Sequence, residues 1–210
     1  MKVHNLASLA LALSFGASLA SAQSGLDVFF GVGTASDSAS TTLIDPFGTG
    51  TFTSTPRLGG TFGRVGADFM FTPHFGVGGE TDFRFSQGNY NSGITYRPNF
   101  YDFNLVYLPT AHRNKRVVPE LQGGLGGMNI KFYYPTSSCN SLVGCTTTNN
   151  YLDSSNHFQA HLEAGVRFYA SPHLFIRPQI DAHYVNNLFQ FGSNWVPEYG
   201  GSIGWTFGER

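Results

Sequence analysis

The chain has 210 residues, a formal net charge of −1, and only 12% charged residues. A length near 200 residues suits a single all-β domain, and a net charge near zero gives no electrostatic case for nucleic-acid binding, which needs a basic patch or stripe. No uninterrupted apolar run of about 18 residues follows the first 22 positions, which excludes a membrane-spanning helix in that part of the chain.

The first 22 residues carry the pattern of an export signal. Lys2 supplies a positive start, residues 6–20 form an apolar stretch, and Ala20-Ser21-Ala22 matches an A-x-A cleavage site. We therefore predict a signal peptide over 1–22 and a mature domain over 23–210. The alternative is a retained anchor helix, but the stretch is short and rich in small residues.

Residues 74–86 show the clearest strand pattern of the chain. Apolar side chains such as Phe75 and Phe83 alternate with polar ones such as Glu80 and Asp82. Because successive side chains of a β-strand point to opposite faces, one face suits hydrocarbon or a core and the other carries charge.

The same alternation recurs eight times. The predicted strands cover residues 26–34, 57–71, 74–86, 95–108, 117–133, 157–170, 173–188 and 198–207. The second, fourth and sixth connections are short, and the others are mostly longer and rich in Ser, Thr, Asn and Gly. Because this arrangement puts all long loops at one end, it predicts an all-β, eight-stranded antiparallel up-and-down transmembrane β-barrel.

Two prolines and two glycine pairs interrupt the pattern. Pro119 and Pro178 lie inside predicted strands, where a closed barrel has no free edge for a missing N–H. We expect bulges to accommodate them, and we expect Gly123-Gly124 and Gly126-Gly127 to shift the parity of the fifth strand.

The polar face of the strands is expected to point into the barrel. Aromatic residues such as Phe69, Tyr107 and Trp205 lie on the apolar face toward strand ends, as interfacial girdles require. The polar face is built from Arg, carboxylates, Gln, His and Gly, which suits a lumen just wide enough for side chains. The alternative is a soluble exported barrel with its apolar face inward.

This parity predicts a network of charged side chains in the lumen. Its expected members are Arg64, Asp68, Glu80, Asp82, Arg84, Asp102, Glu120, Glu163, Arg167, Arg177 and Asp181, and the inward set also includes Gln122, His161, Gln179 and His183. Charges in a low-dielectric lumen need partners, and Arg forms bidentate contacts with carboxylates. Since seven acids face four bases, we expect either protonated carboxyls or water and cations in part of the lumen.

With these strands in place, the chain resembles the small eight-stranded outer-membrane barrels, which include the OmpA transmembrane domain, OmpX and the opacity-type adhesins. The resemblance rests on the alternating strands, the Thr-Pro and Ser-Pro turns at 72–73 and 171–172, and the closing sequence YGGSIGWTFGER. It implies a location in the outer membrane of a Gram-negative-type envelope. It also implies a structural or surface-interaction role without catalysis.

Three groups of residues are candidates for a disulfide, a metal site or a catalytic site. Cys139 and Cys145 lie close together in a polar stretch of an exported chain, which predicts a disulfide rather than a metal or catalytic thiol. His157 and His161 lie roughly 13 Å apart on one strand, so they cannot share an ion, and we predict a lumen hydrogen-bond network that includes Glu163.

A Ser-His-Asp arrangement of Ser202, His183 and Asp181 was the third group. It gives a faint similarity to the lipid A deacylase family, whose nucleophilic Ser follows the His by two positions. Here that position is Val185, and His183 is expected to face away from the lipid. We therefore predict no enzymatic activity.

The sequence predicts outer-membrane lipids and lipopolysaccharide as the surroundings of a monomeric barrel. The long loops over residues 35–56 and 135–156 are candidates for binding a surface ligand, or they are only solvated connections. We predict no cofactor, no metal and no nucleic acid. The alternatives are a narrow pore, suggested by the acid-rich lumen, and a lipid A-modifying hydrolase.

Overall fold

The computed structural model describes residues 25–37, 43–45, 47–91, 93–110, 116–140 and 144–208. The predicted signal peptide over 1–22 lies outside these residues. Within the described parts of the chain, no helix has the length and apolar character needed to cross a membrane.

Antiparallel β-strands make up almost all of the regular structure. In chain order they are β1 (Gly25–Ala35), β2 (Leu43–Ile44), β3 (Thr53–Ser54), β4 (Thr61–Met70), β5 (Phe75–Arg84), β6 (Gly88–Asn91), β7 (Ile94–Tyr107), β8 (Val117–Asn140), β9 (Gly144–Tyr169), β10 (Leu174–Val185) and β11 (Trp195–Phe207). Strands β1, β4, β5, β7, β8, β9, β10 and β11 each pair with their neighbours along this series, and β1 pairs with β11. The ring is closed, which confirms the predicted eight-stranded up-and-down barrel.

The connections differ at the two ends of the barrel. Residues 71–74 and 170–173 form tight turns at the end that also holds the start of β1 and the end of β11. We call this the turn end. The opposite, loop end carries the β2–β3 hairpin, the short strand β6 on β7, and the extended β8–β9 hairpin.

The prediction of a loop over residues 135–156 was wrong. Strands β8 and β9 continue as a paired ribbon from the barrel to Cys139 opposite Cys145, with a register shift between Phe132 and Tyr133. Ser, Thr and Asn occupy both faces of this segment, which removes the apolar alternation that predicts a strand. Strand pairing needs only backbone N–H and C=O groups, and this ribbon supplies them.

The expected bulges at the two prolines were also wrong. Pro119 lies opposite Val166 in a ladder that keeps one register from Val117 to Phe132. The β9–β10 ladder omits Pro178 but resumes in the same register with Gln179 opposite Gly165. The pyrrolidine rings of both prolines point outward from the barrel, away from the side chains that fill the lumen.

The glycine pairs of β8 do not shift its parity either. The β7–β8 register is constant from Tyr107 opposite Leu121 to Thr95 opposite Tyr133. A Cβ at Gly124 would collide with the carbonyl oxygen of Phe103. These glycines therefore allow close approach of the two backbones and do not mark a bulge.

The outer wall of the barrel is apolar. Phe103 is 76% exposed and Leu105 69%, and large apolar side chains alternate outward along every barrel strand. Aromatic pairs lie near both ends, with Phe75 against Tyr107 at the turn end and Tyr184 against Trp195 at the loop end. This arrangement matches a lipid-facing band with two aromatic girdles.

The lumen is filled in three layers. One buried apolar layer, at the loop end, contains Phe62, Tyr96, Phe100, Ile130, Phe132, Phe191 and their neighbours. A second, at the turn end, contains Phe29, Met70, Val106, Leu108, Val118, Tyr169 and Phe175. The ionisable side chains lie between them, and these two buried apolar layers were not predicted from the sequence.

Candidate functional site

The middle layer of the lumen holds more acid than base. Among the described residues, nine buried carboxyl groups project from the barrel strands: Asp27, Asp68, Glu80, Asp82, Asp102, Glu120, Glu163, Asp181 and Glu198. Three buried arginines accompany them: Arg64, Arg167 and Arg177. Several acids lie directly opposite one another across strand pairs, as Asp27 does with Asp68. Like charges so placed repel unless cations lie between them.

Arg167 on β9 neutralises the acids nearest the turn end. Its Nε donates to Glu120 Oε2, its Nη1 to Asp27 Oδ2, and its Nη2 to Asp68 Oδ2 at 2.7 Å. These carboxylates belong to β8, β1 and β4, so one guanidinium joins four strands across the lumen. The planar fork of five N–H donors suits this task.

Arg64 on β4 plays the same part nearer the loop end. Its Nε lies 2.5 Å from Asp82 Oδ1, its Nη1 3.0 Å from Asp181 Oδ2, and its Nη2 3.1 Å from Glu198 Oε1. Asp82 is its neighbour on β5, whereas the other two acids reach it from β10 and β11 across the lumen.

Arg177 on β10 connects the two groups. Its Nη1 donates to Glu120 Oε1 at 2.7 Å and lies 3.4 Å from Glu163 Oε1. Its guanidinium carbon lies 4.1 Å from the ring centre of Phe29, and that of Arg167 lies 4.9 Å from Phe175. The apolar layer at the turn end therefore offers aromatic faces to the buried cations.

The rings of two histidines stack on each other beside the arginine network. His161 and His183 lie opposite each other on β9 and β10, with ring centres 4.7 Å apart, and His183 also stacks on Phe100. His161 Nδ1 lies 3.1 Å from Asn104 Oδ1, and its Nε2 lies 3.3 Å from Asp181 Oδ1. His157 is apart from them, with its ring bonded to Ser155 and the carbonyl of Asn186.

Most of the side chains expected in the lumen are buried there, and Arg84 is the exception. The residue is half-buried, with its Nε and Nη1 enclosed, and its guanidinium carbon lies 5.0 Å from the ring centre of Tyr96, nearer the loop end than the acids. The expectation that Arg84 joins the charged network was wrong, because this end of strand β5 lies beside the apolar layer at the loop end.

The sequence interpretation omitted two buried acids, Asp27 and Glu198. Both lie on the inward parity of their strands, Asp27 between the outward Leu26 and Val28 and Glu198 four residues before the inward Ser202. The alternation was therefore sufficient to find them.

The imagined Ser-His-Asp arrangement does not form. Ser202 pairs with Arg177, and His183 pairs with Val196, six residues away along β11, or roughly 20 Å. Ser202 Oγ instead accepts from Arg177 Nε and donates to Gln179 Oε1. All three candidate residues are buried, away from the lipid.

A buried carboxyl outside the barrel strands ties two loops together. Asp37, just after β1, accepts hydrogen bonds from the backbone N–H of Leu58 at 2.6 Å and of Gly192 at 3.1 Å. Burial raises the pKa of Asp37 to about 6, although these bonds and the charge of Arg57 oppose the shift. The contacts hold the first and last loops over the apolar layer.

The β8–β9 hairpin beyond Tyr133 is the main projection at the loop end. Cys139 and Cys145 form a disulfide near its tip, as predicted. Its described side chains are mostly exposed, including Tyr134 at 50% and Tyr151 at 59%. Polar side chains bond across the ribbon, for example Asn150 Nδ2 to Thr136 Oγ1 at 2.9 Å.

Two cations mark the loop-end boundary of the lipid-facing band. Arg97 on β7 and Lys131 on β8 lie directly opposite each other, and both are exposed on the outer face. The next outward positions toward the turn end hold Asn99 and Asn129, and Tyr101 follows. Arg97 Nε donates to the carbonyl of Arg84, which fixes its position.

Comparisons with known proteins agree with this architecture. A family model described as outer membrane protein beta-barrel domain matches residues 6–207. No curated protein sequence matches the chain significantly.

Solved structures of low sequence identity share the fold. Neisserial surface protein A is 13% identical with a TM-score of 0.56, covering 87% of this chain and 97% of that one. OprG from Pseudomonas aeruginosa is 12% identical with a TM-score of 0.53, covering 90% and 99%. Ail of Yersinia pestis, in complex with the heparin analogue sucrose octasulfate, is 14% identical with a TM-score of 0.52, covering 88% and 99%.

The family match covers nearly the whole chain. The closed ring of strands with an apolar outer wall is the architecture expected of this family. The chain therefore belongs to the outer membrane protein β-barrel family and is an integral protein of the bacterial outer membrane.

Proposed function

We propose that this barrel is a sealed, non-catalytic membrane anchor that presents the β8–β9 hairpin for binding at the cell surface. The observation that carries the proposal is the paired ribbon beyond Tyr133, which projects from a barrel whose lumen is filled at both ends. A binding element on a rigid scaffold loses little conformational entropy when it meets its ligand.

The chemistry of the hairpin favours an uncharged, polar ligand. Residues 134–151 contain no Asp, Glu, Lys, Arg or His and are rich in Ser, Thr and Asn. Exposed Tyr134 and Tyr151 offer flat apolar faces beside these hydrogen-bonding groups. Sugar rings stack on such faces, so we propose a neutral glycan, in contrast to the sulfated sugar named with Ail.

A glycan-binding assay tests this proposal. Purified barrel in detergent is measured against immobilised neutral and sulfated oligosaccharides at low and high salt. We expect binding to neutral glycans that is insensitive to salt and falls at least about tenfold in Tyr134→Ala and Tyr151→Ala. Phe52→Ala, which removes an exposed aromatic ring from the first loop, is the matched control. Binding only to sulfated sugars, or unchanged binding by the tyrosine variants, contradicts the proposal.

The filled lumen argues against the alternative of a narrow pore. An ion on the barrel axis would have to cross two buried apolar layers as well as the arginine network. Planar-bilayer recordings of the purified protein are expected to show no stepwise conductance. Reproducible single-channel steps would contradict the sealed anchor while leaving the hairpin proposal intact.

The Arg97–Lys131 pair supports contact with the phosphates of lipopolysaccharide. Like charges opposite each other are unfavourable unless an anion bridges them, and this pair lies where the lipid-facing band ends. We expect the double variant Arg97→Gln, Lys131→Gln to co-purify with less lipopolysaccharide than the wild type. Equal amounts would contradict this contact. Arg57→Gln, in the first loop, serves as the control for loss of a cation.

Export and assembly state remain predictions. We propose that residues 1–22 are removed and that the mature barrel is a monomer. The intact mass of protein purified from outer membranes is expected to correspond to a chain beginning at Gln23, and light scattering is expected to give one chain per particle.

A further inference from the structure

We propose that the lumen binds one divalent transition-metal ion between Glu80 on β5, His161 and Glu163 on β9, and Asp181 on β10. One ligand atom from each of these four buried residues lies within 4.8 Å of the others. His157 and His161 lie on one strand, too far apart to share an ion. Here the ligands come from three strands across the lumen.

The carboxylates nearest His161 are divided between two kinds of partner. Asp181 turns Oδ2 to Arg64 at 3.0 Å and Oδ1 to His161 Nε2 at 3.3 Å. Glu80 turns Oε2 toward Arg177 at 3.8 Å and Oε1 toward His161 Nε2 at 3.7 Å. Each acid therefore has one oxygen beside an arginine and another directed at the imidazole.

Unsatisfied buried oxygens point to a missing cation. Both oxygens of Glu80 and both of Glu163 make no hydrogen bond to the described residues, although the two side chains are at most 1% exposed. The nearest cationic atom to Glu163 is Arg177 Nη1 at 3.4 Å. A buried carboxylate left in this state is costly, and a bound cation removes the cost.

His161 is oriented as a metal ligand. Its Nδ1 lies 3.1 Å from Asn104 Oδ1, and in the tautomer that donates this hydrogen to Asn104 the Nε2 lone pair faces the two carboxylate oxygens. Metal-bound histidines usually donate their other ring N–H to an oxygen in this way. An Nε2 lone pair facing two carboxylates is repulsive unless a proton or a metal ion lies between them.

The spacing of these atoms suits a tetrahedral ion. Four ligands at about 2.1 Å from Zn²⁺ lie roughly 3.4 Å from one another. The two measured distances from His161 Nε2, 3.3 and 3.7 Å, bracket that value. A mixed set of one imidazole and three carboxylates suits Zn²⁺ or Mn²⁺ better than Mg²⁺, which keeps several waters.

The layered lumen determines how such an ion enters. The site lies between two apolar layers, so we expect the ion to be captured as the barrel closes and then to exchange very slowly. EDTA should therefore remove it from the heat-unfolded chain and not from the folded barrel.

Metal content after refolding tests the proposal. Urea-unfolded, EDTA-treated chain is refolded in detergent with ZnCl₂ or MgCl₂, desalted, and analysed by inductively coupled plasma mass spectrometry. We expect about one zinc ion per folded chain and less than about a tenth of an ion for His161→Gln and Glu163→Gln. His157→Gln, which removes a histidine from the same strand, is expected to retain about one ion.

Folding of each variant is checked by its migration on gels before and after heating, and Co²⁺ provides a second readout. Cobalt in the wild type and in His157→Gln is expected to give the strong visible absorption of a tetrahedral site. Refolded wild type without zinc, or equal zinc in wild type and folded His161→Gln, overturns the proposal. If His161→Gln does not fold, the metal content and cobalt spectrum of the wild type still decide.

Discussion

The middle layer of the lumen and the β8–β9 hairpin are opposites in the same chain. In the lumen, three arginines contact eight of the nine buried carboxyl groups, and each arginine joins acids from several strands. In the hairpin, the described side chains are mostly exposed, and their hydrogen bonds are local ones along or across the ribbon. The lumen therefore contributes much of the stability of this barrel, whereas the hairpin can change with little effect on the barrel.

Removing Arg167 should break the lumen most severely. Arg167→Met leaves Asp27, Asp68 and Glu120 buried without their shared cation, and we expect a loss of about 3–5 kcal/mol or failure to fold. Urea titration in detergent, followed by gel migration without heating, measures the effect. Arg97→Met removes an exposed arginine and should change stability by less than about 0.5 kcal/mol. Similar losses in both variants would contradict the contrast.

A charge on the outer wall should have the next largest effect. Leu162 is 62% exposed at mid-barrel, and Leu162→Arg is expected to cost about 2–4 kcal/mol because lipid surrounds it. Thr148→Arg on the hairpin should cost almost nothing. A spin label at Leu162 should also respond to lipid-soluble quenchers, and an aqueous environment there would refute the outward apolar face.

Substitutions at two adjacent glycines of β8 test the inner and outer faces of the barrel wall separately. A Cβ at Gly124 would meet the Phe103 carbonyl oxygen, so Gly124→Ala should cost about 1–3 kcal/mol. A Cβ at Gly123 lies 3.3 Å from the flexible Leu162 side chain, so Gly123→Ala should stay within about 0.5 kcal/mol. Equal unfolding midpoints in urea for the two variants would show that the wall tolerates side chains on both faces.

The loop contact at Asp37 should weaken as pH rises. Its pKa is about 6 in the folded protein against an ordinary 3.8, so the folded state holds the proton more tightly. Stability from this group is then complete below about pH 4, falls between about pH 4 and 6, and is constant above. Hydrogen exchange of the Leu58 and Gly192 amides, corrected for intrinsic rates, should show more opening at pH 7 than at pH 4. The Asp37→Asn variant should lose that difference.

Breaking the disulfide should have the smallest effect on the barrel. The double variant Cys139→Ser, Cys145→Ser alters the hairpin near its tip, beyond the last pairing of β8 with β7. We expect an unchanged urea midpoint and faster hydrogen exchange confined to the hairpin. A lower midpoint would mean that the hairpin and the barrel unfold together.

The alternation of side chains determined much of this protein. It predicted eight strands, the closed ring, the long-loop end and the outward apolar face, because strand period fixes which face each side chain takes and a sheet in lipid must close to leave no edge. Asp27 and Glu198 also lie at inward positions of the alternation, so the sequence was sufficient to predict them in the lumen. The paired strands of the hairpin could not be predicted in this way because both of their faces are polar.

The way in which side chains fill the lumen could not be predicted from the sequence and depends on the tertiary structure. Parity places Arg64 inside but does not indicate that its Nη1 meets Asp181, 117 residues later, or that aromatic layers close both ends. The cluster of Glu80, His161, Glu163 and Asp181 is likewise formed by barrel closure. The physical reason is that strand period fixes the direction of a side chain, whereas a contact across the lumen depends on the register and curvature of the whole ring.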